Sequence, residues 1–113
     1  APVQAWADAE DPRHPITTDA LLRMSSGLYW EEVYSNVSTA TNMLYKYADM
    51  GGFAASQPKD VEMNEKWYYS SGTTNILSKI MREKLGDAAY YQFTQDELFS
   101  KIGVTSAVIE PDA

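Results

Sequence analysis

Cysteine is absent from the 113 residues, and histidine occurs once, as His14 between Arg13 and Pro15. The first absence excludes a disulfide, a thiol nucleophile and a thiolate metal site. It leaves the compartment open, because exported proteins also do without cysteine. The second leaves metal chemistry little to work with: a lone His in a Pro-flanked stretch reads as a surface residue rather than a ligand. Glu31 and Glu32 are adjacent, so on a helix they diverge instead of converging on an ion, and they read as a solvated face. No metal and no cofactor are expected. Basic residues are few, with nine Lys and Arg against sixteen Asp and Glu, for a net charge of −7. That sign disfavours a nucleic-acid partner or an anionic membrane surface and serves solubility. No apolar run approaches the roughly 20 residues of a membrane span. Residues 1–15 also lack the basic start and apolar stretch of a signal peptide.

What remains is an ordinary globular balance, 44% hydrophobic and 22% charged, with eight Tyr and three Trp. The length suits a single domain, 1–113, able to bury a core. Residues 1–15, with Pro2, Pro12 and Pro15, read as an extended lead-in. "ITTDALLRMSSGL" predicts a short helix capped by Thr17 or Thr18 and stopped at Gly27, with Ala20, Leu21 and Met24 on one face. Residues 29–58 are mostly helical in pattern. Val37, Thr41, Leu44 and Ala48 recur at helical spacing, as do Met43 and Tyr47; Ser38 is the expected cap and Gly51-Gly52 the expected break. A third helix is expected over about 72–85, stopped by Gly86. A fourth is capped by Asp87, carries Tyr90, Phe93, Leu98 and Ile102, and ends at Gly103. The tail 104–113 alternates weakly and reads as one strand without a partner, or coil. The fold class is mainly α, with one orphan strand candidate near the C-terminus.

Chemistry is sparse by composition. A Ser-His-Asp triad would have to use His14, and no phosphate-cradling glycine loop with a Lys occurs. One literal Ser-x-x-Lys, "SQPK" at Ser56–Lys59, is a match that chance would supply, with Pro58 where a helix ends. "KLG" at Lys84 and "KIG" at Lys101 are ordinary helix-end sequences. The stretch "WYYSSGTTN" at 67–75 stands out. A helix start explains its Ser, Gly and Thr but not Trp67, Tyr68 and Tyr69, which are either core or a working phenol.

Three stretches in order carry a family resemblance. "ITTDALLRMSSGLYW", "WYYSSGTTNILSKIMREKLGD" and "YYQFTQDELFSKIGVTSAVIEPD" together resemble the serine β-lactamase and penicillin-binding-protein-like hydrolases. They are most similar to the branch of class C β-lactamases, esterases and 6-aminohexanoate-dimer hydrolases. The resemblance implies that Tyr69-Ser70-Ser71 matches that family's Tyr motif, with Tyr69 as general base or proton relay. Ser71 stands where Asn is common, in a supporting or substrate-binding place. Trp67 and Tyr68 are implied pocket wall. A Tyr side chain suits the role, since nearby cations would favour its phenolate. The shorter Ser71 points toward esterase or amidase rather than β-lactamase activity.

The same resemblance implies that the chain is the helical middle of an α/β serine hydrolase. Its partner would be the α/β domain of the same protein, carrying Ser-x-x-Lys and a Lys-Thr-Gly-like strand. The substrate would be a small acyl compound, and the compartment the bacterial periplasm or cytoplasm. The chain by itself is then expected to be inactive. A second reading stays open: a non-catalytic helical module whose aromatic-rich face binds a peptide or partner protein.

Overall fold

The computed structural model describes residues 1–110. Five α-helices follow one another: α1 (Thr18–Leu22), α2 (Thr39–Lys46), α3 (Met50–Ala55), α4 (Ser71–Leu85) and α5 (Asp87–Glu97). Short 3-10 turns lie at Gln4–Trp6 and Phe99–Ile102. The architecture is mainly helical, and among the described residues the only β pairing is an isolated bridge between Leu28 and Lys59.

Helix α4 is the element against which the others pack, and its sequence shows why. Ser70 accepts the Thr73 amide at 3.0 Å and starts the helix. Gly86, at φ +78°, closes it. Gly72, Ile76 and Ile80 recur every fourth residue and are buried along one stripe. That stripe meets α1, α2 and α3, and the shared core holds Trp6, Ile16, Leu21, Trp30, Met43 and Ala54. Helix α1 is capped by Thr17, whose side chain accepts from Ala20 N. It ends earlier than Gly27, at Leu22, because Met24 takes a left-handed φ of 56°.

The first fifteen residues hold turns rather than an extended run. Trp6 is fully buried and donates its indole N–H to Ala55 O at 2.9 Å. Arg13 reaches the same carbonyl at 3.1 Å while pairing with Asp11 at 2.6 Å. The lead-in is thereby sewn to the end of α3. Truncating an indole buried in this way costs about 3–5 kcal/mol.

The long helix expected over 29–58 is broken into a loop and two short helices. Residues 29–38 are irregular, and α2 begins after Ser38, which forms a reciprocal capping box with Thr41. The buried face of α2 is Thr39, Ala40 and Met43, whereas Val37 is 72% exposed. The Gly51-Gly52 pair lies inside α3 rather than breaking a helix. Asp49 caps α3 through Gly52 N at 2.8 Å and holds Lys79 of α4 at 3.0 Å.

Helix α5 ends at Glu97, short of Gly103, and its cap is Gly86 rather than Asp87, which is instead the first helical residue and pairs with Arg82 at 2.8 Å. The helix buries no residue, and Tyr90, Phe93, Leu98 and Ile102 stay partly or largely exposed. The orphan strand does not form over 104–110, which has no regular secondary structure; residues 111–113 of that expectation lie outside the described residues.

Candidate functional site

The aromatic stretch is placed by an irregular pairing of two loops. Tyr29 N donates to Pro58 O at 2.8 Å, Asp60 N to Gly27 O at 2.8 Å, and Tyr68 N to Met24 O at 2.9 Å. Gly27 is needed here: it has φ +78°, and a Cβ would lie 2.3 Å from Val61 O. The pairing carries residues 67–69 past loop 24–34 and delivers them to the N-terminus of α4.

Tyr69 ends this run, two residues before α4, and is 51% exposed. Tyr68 is 39% exposed; its phenol accepts from Glu32 N at 3.3 Å and its ring lies under the Lys66 ammonium at 5.1 Å. It also lines a cavity of about 270 Å³ with Trp30, Ser70 and Thr73. Trp67 is 69% exposed and is not among the residues of that cavity.

Ser71 donates twice to one oxygen of Glu32, from its amide at 2.9 Å and its hydroxyl at 3.1 Å. Trp30 Nε1 donates to the same oxygen, and the Tyr34 hydroxyl donates to the other. Glu32 is therefore not part of a solvated face: it is half-buried and accepts four hydrogen bonds. Burial raises its pKa, but the bonds from Tyr34, Ser71 and Trp30 prevail and hold the carboxyl below the usual range. The Tyr34 phenol is pushed up, first by its bond to Glu32, and Tyr69 is close enough to add to that shift. Sequence reasoning does not find Tyr34 or the role of Glu32. The signal available is the loop's composition, a run of aromatic and acidic residues ahead of the Ser38 cap.

Gly72 completes the arrangement. A Cβ there would lie 2.5 Å from the Trp30 ring, so the first turn of α4 rests directly on the indole whose N–H serves Glu32.

The Ser56–Lys59 match holds no nucleophile geometry. Ser56 donates to Phe53 O at 2.7 Å, and Lys59 is paired with Glu62 at 2.6 Å. The His14 ring lies with Nδ1 2.8 Å from Trp6 O. Among the described residues no group of three or more His, Asp or Glu side chains could hold a metal ion, and no helix is long and apolar enough to cross a membrane. A cavity of about 780 Å³ lies elsewhere, between α4 and α5, lined by Met81, Tyr90, Tyr91 and Phe93 among others.

No curated protein and no solved structure matches the chain. A family model described as Beta-lactamase matches it over residues 1–113. With every residue inside that match, the chain belongs to the Beta-lactamase family and is related to its hydrolases.

Proposed function

We propose that these residues form the tyrosine-bearing helical part of a serine hydrolase in the class C β-lactamase, esterase and 6-aminohexanoate-dimer hydrolase branch. The reaction is cleavage of an amide, ester or lactam through an acyl-enzyme. The observation that carries this reading is the setting of Tyr69, a half-exposed phenol between two backbone anchors at the start of a 15-residue helix.

In this reading the nucleophilic Ser and its Lys come from the α/β portion of the full-length protein. Tyr69 Oη, held as the phenolate by the neighbouring Lys cation, accepts the Ser proton as the hydroxyl attacks the acyl carbon. It then returns that proton to the departing amine or alcohol, and water completes deacylation. The oxyanion donors also belong to the α/β portion. Ser71 takes the supporting role, since both its donors already serve Glu32. Tyr68 forms pocket wall, while Trp67 lies outside the cavity that Tyr68 lines. An Asn at position 71 could reach a substrate amide; the shorter Ser, engaged with Glu32, favours ester or simple amide substrates over lactams.

The test is Tyr69→Phe in the full-length protein. Loss of a general base lowers turnover by about 10²–10⁴-fold, so kcat/KM for an aryl ester or anilide should fall within that span. Unchanged turnover sinks the role assigned to Tyr69, whereas absence of turnover in the full-length wild type leaves the non-catalytic peptide-binding module as the reading to pursue.

A further inference from the structure

We propose that Glu32 is a positioning residue for Tyr69, clamping the backbone that carries the phenol by accepting both donors of Ser71. The inference rests on the reading of Tyr69 as the proton relay.

The clamp follows from where each end is tied. Upstream, Tyr68 N is fixed to Met24 O at 2.9 Å. Downstream, the Ser71 amide and hydroxyl converge on one Glu32 oxygen at 2.9 and 3.1 Å. Tyr69 and the buried Ser70 are the only residues between those anchors. Glu32 is itself held from three sides. Trp30 and Tyr34 donate to its carboxylate, its amide donates to the Tyr68 phenol, and the preceding amide, of Glu31, donates to Thr39 Oγ1 at 2.6 Å on α2. One carboxylate thus joins the core indole, the 30–34 loop and the first turn of α4. Taking it away leaves the Ser71 amide and the Trp30 indole N–H without that acceptor in a half-buried place, and the first turn must shift to find another. A shift of about 1 Å in a reacting group costs on the order of 10²-fold in rate.

The experiment is a mutant cycle in the full-length protein, with kcat and KM measured for wild type, Glu32→Ala, Glu32→Gln, Tyr69→Phe and the Glu32→Ala/Tyr69→Phe double variant. Glu32→Ala should lower kcat by about 10–10²-fold with KM moved by less than about 3-fold. Glu32→Gln keeps an oxygen for Ser71 and should recover most of that loss. The double variant should be no more than about 2-fold slower than Tyr69→Phe, because the clamp acts through the phenol. If Glu32→Ala fails to fold, Ser71→Ala replaces it, with a kcat loss expected when Tyr69 is present and none when it is combined with Tyr69→Phe. A wild-type kcat in Glu32→Ala beside a slow Tyr69→Phe overturns the clamp and leaves the relay standing. Equal losses in both backgrounds overturn it too. A wild-type rate in Tyr69→Phe overturns the relay itself, and the clamp with it.

Discussion

The Glu32 carboxyl sits below its ordinary value of 4.5 although burial pushes it upward, so its four hydrogen bonds outweigh desolvation. A group whose folded-state pKa is depressed binds fewer protons folded than unfolded. Its contribution to stability is therefore complete above that ordinary, unfolded value and is lost as pH falls through the folded one. Denaturant midpoints measured between neutral pH and the acid range should fall across that window, and Glu32→Gln should flatten this part of the profile. An unaltered profile in the Gln variant would show that other carboxylates govern it. Glu32 was illegible in the sequence for a definite reason. Adjacent residues do diverge, but on an irregular loop that divergence sends Glu31 outward and Glu32 toward Trp30 and Ser71. The role proposed for Tyr69 rests on the family's motif, since spacing alone gave three aromatic rings of equal standing.

At the scale of elements, some helix ends were legible and others were not. Thr17, Ser38 and Gly86 mark helix ends as their chemistry dictates. The Gly51-Gly52 pair reads as a stop by propensity, yet it sits inside α3 because α3 approaches α4 closely. A Cβ on Gly51 would lie 2.8 Å from both Asn75 O and Lys79 Cβ. Helix propensity favours Ala over Gly by about 1 kcal/mol, whereas forcing a methyl into a filled contact costs about 1–3 kcal/mol. The contact is with backbone, which yields least, so Gly51→Ala should destabilise the chain and lower its urea midpoint. A raised midpoint would mean that the two helices can separate without cost. Phase was the other illegible quantity: of the Val37-Leu44 spacing, Val37 lies ahead of the α2 cap and Leu44 falls on the outward side of the helix.

Across the whole molecule, packing is uneven. The largest fully buried side chains, Trp6, Ile16, Leu21, Met43 and Ile76, come from residues 1–80, and among the described residues α5 and those after it bury none. α5 is joined to α4 by the Ser78–Tyr90 hydroxyl contact, the Arg82–Asp87 pair and Arg82 over the Tyr91 ring. Surface pairs of that kind contribute about 0–1 kcal/mol each. Amide hydrogen exchange should therefore find α5 opening more readily than residues 73–82 of α4, with rates higher by at least about 10-fold. Equal protection in the two helices would show that they open as one unit. This division explains why apolar spacing misled at the C-terminal end. Tyr90, Phe93, Leu98 and Ile102 have the pattern of a packed face, and a sequence pattern does not say whether the packing partner lies within the described residues.

The three indoles are distributed so that each reports on a different place. Trp6 lies against the end of α3, Trp30 lies under the first turn of α4 beside Glu32, and Trp67 stands open to water ahead of Tyr68 and Tyr69. An aqueous quencher such as acrylamide reaches Trp67 first, leaving the blue emission of the two sheltered rings. With Trp67→Phe and Trp6→Phe in place, the light that remains comes from the indole touching the Glu32 clamp. The site thus carries its own optical gauge, and any loosening of the Tyr69 backbone can be watched without substrate.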